Sequence, residues 1–340
     1  MTMASLSFLL GLVPSTEKVE TADDKIRADF QAYKAYENSE ELKHFLDLEK
    51  EVKSSAFVVR KKKAKKKKNT YLESEEYQKQ TEYDVLKKSD NVVWYFKTKK
   101  KYPFKEIEKW NLTFEENFKK GKLDTSKWMT RYYWGDKTMD RSFVLEDDKS
   151  FITDGDNIEF YDNKARIVTK AKKTQGLAWR AEQGFVNQDF DFTSGLLSTA
   201  KSFRQKYGVF TAKVKMAGGS VAQSFWMVSD TMLPHVDVAR FENGKLYANY
   251  FWGNTQSNHK SLSKTGGAKY ADEYFIYTLE WTPNKLIWKI NGKVFKTQTS
   301  GVPQEEMCIN FSSNLKKDAS EGGLPSAMEI DWIRVYKLKE

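Results

Sequence analysis

From Trp110 to its end, the chain is a series of short runs of strand length divided by glycine, asparagine and aspartate. Two of the dividers are Asn-Gly pairs, at 243–244 and 291–292, and this dipeptide is typical of a tight turn between antiparallel strands. Helical signals are few in this part. The sequence therefore predicts a mainly β fold, a sandwich or jelly roll. The clearest predicted strands are 157–161, 165–169, 209–216, 225–228, 245–252, 275–281, 286–290 and 328–336.

The first hundred residues have a different pattern, typical of helices and a linker. Asn38-Ser39-Glu40-Glu41 has the chemistry of a capping box, and apolar residues follow it at helical spacing. Residues 74–88 predict another helix, and 92–96 an apolar anchor. Because these helices contain few apolar residues, we expect them to bury little apolar surface by themselves and to contact a partner. The predicted domains are a helical N-terminal arm, 1–105, and a β domain, 106–340.

The net charge of +10 depends strongly on one lysine-rich run, residues 60–68. Such a run repels itself, so we interpret 60–69 as a solvated linker. A contact with nucleic acid or an acidic surface is the alternative. No aromatic residues are interleaved with the lysines for stacking on bases, so we do not expect a nucleic-acid partner.

The apolar run at residues 4–13 has no Lys or Arg before it and no clear small-residue cleavage site. We therefore expect a docking segment rather than a secretory signal, and the run is too short to span a membrane. The single cysteine, Cys308, predicts a buried, inert thiol. The three histidines, His44, His235 and His259, give no zinc spacing, and we expect no cofactor.

Residues 233–240 alternate as a half-buried strand does. Val236 and Val238 fall on one face, and His235 and Asp237 on the other. A row of polar groups on one face of a strand usually looks into a cleft or into water. This strand is the candidate site.

Seven stretches flank this strand in a defined order. They are Phe-Glu-Glu-Asn-Phe at 114–118 (with Leu123-Asp124 and Trp128), Thr-Ser-Gly at 193–195, Lys-Tyr-Gly-Val-Phe at 206–210, Ser-Phe-Trp at 224–226, Tyr-Thr-Leu-Glu-Trp-Thr-Pro at 277–283, Ile-Asn-Gly at 290–292 and Met-Glu-Ile-Asp-Trp-Ile-Arg-Val-Tyr at 328–336. With them, residues 110–340 resemble glycoside hydrolase family 16, the laminarinase and lichenase group. The resemblance implies a concanavalin A-like jelly-roll sandwich.

The family's catalytic strand carries Glu-x-Asp-x-x-Glu, or the same motif without the extra bulge residue. Retaining glycosidases need a nucleophilic and an acid/base carboxylate about 5 Å apart. The resemblance places His235 at the nucleophile position, Asp237 at the middle aspartate and Arg240 at the acid/base position. The unbulged alternative places Ala239 there. Glu242 is a rescue candidate.

Imidazole is a poor substitute for a glycosyl-accepting carboxylate, and arginine is neither acid nor base near neutral pH. We therefore expect a catalytically degenerate module, structural and glycan-binding, in a larger assembly such as a bacteriophage tail, docked through residues 1–105. A virion or other particle is favoured over a secreted or cell-surface location. The alternatives are a hydrolase of β-glucan or a related polysaccharide that uses Asp237 with Glu242, and a free glycan-binding protein. The glycan-binding candidates are Trp179, Trp226, Asn249, Tyr250, Trp252 and Asn310.

Some relatives carry a structural calcium held by an early glutamate and a late aspartate. Glu116 and Asp331 stand at similar places in this sequence. The backbone carbonyl ligands of such a site cannot be read from a sequence, so no metal is assigned.

Overall fold

The computed structural model describes residues 13–66, 70–134, 140–254 and 258–339. The chain divides into two compact units, one formed by Glu20–Lys109 and the other by residues 13–19 with the chain from Trp110 onward. The apolar run at 4–13 lies outside the described residues except for Val13, which packs against the core of the β unit. No helix in the described ranges is long and apolar enough to cross a bilayer.

Four of the helices in the described part of the chain begin directly after a serine that caps them. The helices are α1 (Thr16–Glu37), α2 (Glu40–Val52), α3 (Ser55–Lys65), α4 (Glu75–Leu86), α5 (Asp90–Lys101) and α6 (Lys105–Glu108). The hydroxyls of Ser39, Ser54, Ser74 and Ser89 each accept a hydrogen bond from a backbone N–H in the first turn of the following helix. These bonds satisfy donors that a helix start otherwise leaves free, as the sequence predicts at Ser39.

The helical unit has a hydrophobic core of its own, and the expectation that its helices bury little is wrong. Its aromatic rings supply most of the packing, and the Tyr33 ring stacks on Tyr95 with centroids 5.1 Å apart. Aromatic side chains bury large areas, so a few of them compensate for the low apolar content. The buried residues are Tyr33, Leu42, Phe45, Leu48, Val52, Phe57, Tyr83, Val92, Tyr95 and Phe104.

The lysine-rich run is helical as far as Lys65, because it forms the second half of α3. Arg60 forms ion pairs with Glu51 at 3.4 Å and Glu76 at 3.2 Å, which supply opposite charge beside the run. The predicted solvated linker is thus corrected over this part to a solvated helix. Residues 67–69 lie outside the described ranges.

The β unit is a two-sheet sandwich, which confirms the predicted mainly β jelly-roll class. Its strands are β1 (Trp110–Glu116), β2 (Phe143–Val144), β3 (Ser150–Ile152), β4 (Ile158–Tyr161), β5 (Lys164–Arg180), β6 (Gly184–Ser198), β7 (Gly208–Lys215), β8 (Ala222–Val228), β9 (His235–Glu242), β10 (Lys245–Tyr247), β11 (Tyr250–Gly253), β12 (Asn258–Ser261), β13 (Lys264–Gly266), β14 (Tyr274–Thr282), β15 (Lys285–Ile290), β16 (Lys293–Gln298), β17 (Cys308–Asn314) and β18 (Ser326–Leu338).

One sheet runs in the order β4–β5–β18–β7–β14–β15–β16, with β1 beside the second half of β18. The other runs β6–β17–β8–β9 and then β10 and β11, which pair with different parts of β9. The long β5–β6 hairpin connects the two sheets. The main core lies between them, with rings such as Phe210 and Trp288 from one sheet and Phe225 and Phe311 from the other.

Both predicted Asn-Gly turns are confirmed. Asn243 and Gly244 have φ values of 50° and 68°, and Asn291 and Gly292 have 45° and 77°. Positive φ at both central residues is the geometry of a type I′ hairpin turn. The first turn returns the chain from β9 to β10, and so places β9 in the interior of its sheet. The predicted strand 245–252 is interrupted at Ala248-Asn249, between β10 and β11.

Candidate functional site

The candidate site is built on β9, and its geometry depends on a bulge. Along the β8–β9 ladder, Phe225 opposes Ala239 and Trp226 opposes Asp237, so β9 has one extra residue, Val238. A bulge of this kind reverses the facing of the residues that follow it. Ala239 therefore packs into the core, and Arg240 turns to the face that carries His235 and Asp237. The bulged alignment is the one the fold adopts.

His235, Asp237 and Arg240 line one cleft of about 650 Å³. Its size is within the range of small-ligand sites in proteins. Two of the predicted glycan-binding residues, Asn249 and Trp252, line the same cleft. Leu233, from the predicted stretch 233–240, also lines it. The other lining residues were not predicted from sequence: Met232, Phe251, Asn258, His259 and Lys260.

Asp237 is buried at the base of the cleft and both of its carboxylate oxygens are engaged. Oδ1 shares a hydrogen bond of 3.0 Å with Nε2 of His235, and Oδ2 accepts one of 2.9 Å from Nδ2 of Asn249. Burial alone would raise the pKa of Asp237. The hydrogen bond and charge of His235, the charge of Arg240 and the Asn249 amide outweigh it and hold the pKa below its ordinary value. Asp237 is thus an ionised, fully bonded group.

Arg240 is paired with the next polar residue on its own face. Its Nε and Nη2 both donate to Oε2 of Glu242, at 3.1 and 2.8 Å. Burial would lower the pKa of Arg240, but the charges of Asp237 and Glu242 raise it above its ordinary value. The guanidinium therefore stays a cation, and the Glu242 carboxylate is tied to it rather than free.

The aromatic candidates differ in where their faces lie. The Trp226 ring is only 7% exposed and stacks beneath His235, with centroids 4.9 Å apart, while its Nε1 donates to Ser312 Oγ at 3.1 Å. Tyr250 is completely buried, and its hydroxyl donates to the carbonyl of Gly301. Both rings belong to the support of the cleft, so their expected role as sugar-stacking surfaces is corrected.

Two further candidates lie outside the cleft. Asn310 is buried, its Nδ2 contacts Cys308 Sγ at 3.6 Å, and it lines a separate cavity of about 10 Å³ with Trp226. That volume holds about one water molecule and no sugar ring. Trp179 is 40% exposed at the end of β5 and is not among the residues that line the cleft. Neither residue is among the described residues that line this cleft.

Trp252 is held in place on several sides. Its indole stacks on Tyr250 with centroids 4.6 Å apart and on His259 at 5.5 Å. Gly301 approaches so closely that a Cβ there would lie 2.1 Å from Trp252 Nε1, and its φ of +63° also favours glycine. The half-buried Trp252 is thus the candidate ring that the structure places at the cleft.

His259 and Lys260 reach the cleft because β12 pairs with β11, which brings His259 opposite Trp252. The sequence Asn-His-Lys-Ser of β12 has no apolar alternation. No strand signal was present that could have found these two residues.

Glu116 and Asp331, the possible calcium ligands, are engaged with other groups. Oε1 of Glu116 accepts from the backbone N–H groups of Asn117 and Phe118, and Oε2 pairs with Lys127 Nζ at 3.2 Å. Asp331 pairs with Lys213 at 2.8 Å. Among the described residues, no group of three or more His, Cys, Asp or Glu side chains could hold a metal ion. Lysine ammonium groups already neutralise both carboxylates, so they do not fit a calcium site.

Comparison with known proteins agrees with this architecture. The family model of glycosyl hydrolases family 16 matches residues 145–334. The chain belongs to this family. The family 16 match covers more than half of the chain and includes the whole of β9.

Similar family members are bacterial glucanases. A glucan endo-1,3-beta-glucosidase A1 from Niallia circulans is 22% identical over 67% of this chain and 38% of its own length. A beta-glucanase from Fibrobacter succinogenes is 28% identical over 43% of this chain and 47% of its own length. The chain therefore spans less than half the length of either relative.

Solved structures share the fold at low identity. The catalytic domain of an endo-1,3-beta-glucanase (laminarinase) from Thermotoga petrophila superposes with a TM-score of 0.53 and 16% identity, over 68% of this chain and 99% of that domain. The kappa-carrageenase from Pseudoalteromonas carrageenovora, solved with a carrageenan oligosaccharide, gives 0.54 and 17%, over 67% and 94%. These likenesses establish the fold.

Proposed function

We propose that the β unit is a β-glucanase-like module that binds a polysaccharide in the β9 cleft without hydrolysing it. One observation carries the proposal: the bulge at Val238 turns Arg240, not a carboxylic acid, to the cleft at the acid/base position of the family motif. A guanidinium cannot donate or accept the proton that glycosidic cleavage requires. The cleft itself, with its polar floor and its tryptophan, is retained.

The nucleophile position supports the same reading. His235 stands there, and its Nε2 is bonded to Asp237. The family mechanism needs two carboxylates about 5 Å apart in different protonation states. Asp237 is the carboxylate among the described residues that line the cleft, and it is ionised and bonded through both oxygens.

The competing function is hydrolysis of β-glucan or a related polysaccharide by Asp237 and Glu242. Two observations disfavour it. Glu242 is not among the described lining residues, and its Oε2 receives two donors from Arg240. A general acid has to reach the glycosidic oxygen of the substrate, whereas this carboxylate is bound to Arg240.

Affinity electrophoresis in gels that contain laminarin, lichenan or agar-type polysaccharide tests the binding function. We expect the migration of the protein to be retarded by at least one of these glycans or by an acidic polysaccharide in the same kind of gel. Trp252→Ala removes the ring at the cleft, and loss of one stacked ring corresponds to about a tenfold weaker affinity. Trp179→Ala is the matched control, because it removes an exposed tryptophan away from the cleft. Equal retardation of both variants, or none of the wild type by any glycan, contradicts the proposal.

We also propose that the helical unit attaches the module to protein subunits of a larger assembly, such as a bacteriophage tail. The helices support a contact function because they expose several large apolar side chains besides their core. These are Leu46, Val58, Val59, Val85, Val93 and Phe96, each more than a third exposed. Size-exclusion chromatography with light scattering of the whole chain, and mass spectrometry of particles that contain it, test this role. A monomer that is absent from every particle contradicts it and leaves a free glycan-binding protein.

A further inference from the structure

The cleft lining contains more cationic than anionic charge that a ligand can reach. Its described residues include one arginine, Arg240, and one lysine, Lys260. Two histidines, His235 and His259, lie in the same lining. Asp237 is the carboxylate in the same lining, but it is 3% exposed. A ligand entering this cleft therefore meets cations at its surface and a carboxylate only beneath them.

The carboxylate of Asp237 already has hydrogen-bond partners within the protein. One oxygen is bonded to His235 and the other to Asn249. The carboxylate keeps some acceptor capacity, since each oxygen can accept more than one hydrogen bond, but its 3% exposure leaves a ligand little access to it. The exposed Lys260 and the exposed part of Arg240 are therefore the charges that an entering anion meets first.

Arg240 keeps part of its donor capacity. Glu242 takes Nε and Nη2, while Nη1 has no hydrogen-bond partner among the described residues, and a quarter of the side chain remains exposed. A guanidinium presents five N–H donors in a fork that matches carboxylate and sulfate oxygens. One edge of the Arg240 fork is thus available to an oxyanion.

Lys260 carries the charge that is not offset. It is exposed on β12 and forms no ion pair with any carboxylate of the described chain. It lies opposite Phe251 of β11, which in turn lies opposite His235 of β9. The cleft lining thus includes an ammonium group that has no carboxylate partner among the described residues.

We propose that the ligand of this cleft is an acidic polysaccharide, whose carboxylate or sulfate groups are bound by Arg240 and Lys260. This inference rests on the proposed glycan-binding function and names the substrate class. A neutral glucan can accept a hydrogen bond from the Lys260 ammonium group, but it carries no negative charge to pair with it. An oxyanion gains a charge-assisted hydrogen bond from each of the two cations.

Isothermal titration of the whole chain with three size-matched oligosaccharides tests the inference. Alginate fragments carry carboxylates, kappa-carrageenan fragments carry sulfate esters, and laminarin fragments are neutral. We expect one acidic series to bind more tightly than laminarin, and the tighter of the two identifies the oxyanion. Its affinity should fall on going from low salt to about 0.15 M ionic strength, where the Debye length is about 8 Å.

Two charge reversals provide the matched pair of variants. Lys260→Glu should weaken binding of the acidic series about fivefold, because one attraction of up to about 1 kcal/mol becomes a repulsion. Lys293→Glu makes the same change on an exposed lysine of β16 that does not line the cleft, and should leave affinity unchanged. Arg240→Gln removes the second cation, and circular dichroism checks that it folds. Because Lys260 is exposed, its variant stays informative if Arg240→Gln does not fold.

The outcomes separate this inference from the broader function. Binding of laminarin as tight as that of both acidic series, or equal effects of Lys260→Glu and Lys293→Glu, overturns the acidic ligand and leaves a glycan-binding cleft. Absence of binding by every glycan overturns the glycan-binding function itself, and the inference with it.

Discussion

The two faces of β9 have different relations to the family fold. The face toward the core carries Val236, Ala239 and Phe241, all nearly or fully buried between the sheets. The face toward the cleft carries His235, Asp237 and Arg240, of which only Asp237 is the residue type of the family motif. The core face determines whether the sandwich forms, and the cleft face determines what it does. Because fold and cleft chemistry depend on alternate residues of one strand, substitutions on the cleft face need not disturb the core.

The largest effect is expected on the core face. Phe241→Ala removes a completely buried ring from the main core and should lower the free energy of unfolding by about 3–5 kcal/mol, from lost burial and the cavity left behind. Chemical denaturation measures it. If Phe241→Ala cost no more than a cleft-face variant, the distinction between the faces would fail.

The next largest effect is expected at Gly301, where one substitution should change both stability and glycan binding, because Gly301 packs against Trp252. Gly301→Ala places a Cβ against the Trp252 indole in a left-handed backbone conformation. We expect a loss of about 1–3 kcal/mol of stability from backbone strain and displacement of the ring. Because the ring moves, glycan affinity should fall as well. Gly292→Ala is the control: it shares the positive φ but has no atom within 4 Å of the added Cβ. It should lose stability and keep affinity.

A smaller effect is expected on the cleft face. Asp237→Asn removes a buried charge with two partners, and should cost about 1–2 kcal/mol at neutral pH. The folded pKa of Asp237 lies below its ordinary value of about 3.9, so its ionised form stabilises the fold above that pH. This contribution is lost as the pH falls through the folded pKa. Urea denaturation of the wild type and of Asp237→Asn should show a difference in the free energy of unfolding that becomes smaller in strong acid. A difference that grows on acidification contradicts the ionised state.

Much of the scaffold could be predicted from sequence because its signals are local. The Asn-Gly turns, the strand-length runs and the serine cap at residue 39 each depend on a few neighbouring residues. The helical unit's core was not predictable in this way. Tyr33, Phe45 and Phe104 lie on different helices, and only tertiary packing shows that they meet.

The site could be predicted in part. The motif order located β9, and alternation put His235 and Asp237 on one face. The choice between Ala239 and Arg240 required the β8–β9 register, which is a property of two strands and cannot be read from one. The prediction of Trp226 and Tyr250 as binding rings was wrong. Their burial depends on residues that are distant in sequence, so it could not be read from the residues around them. Lys260 was missed because its strand lacks an apolar pattern.

Reducing-end release from laminarin, lichenan and agar-type polysaccharide by the wild-type chain tests the central claim most directly. The proposed function places His235 and Arg240 at the two catalytic positions, and Glu242 is bound to Arg240, so the expected result is no release above the protein-free blank. Release that Asp237→Asn or Glu242→Gln abolishes would contradict the account, because it would show that a rearranged carboxylate pair still cleaves the chain.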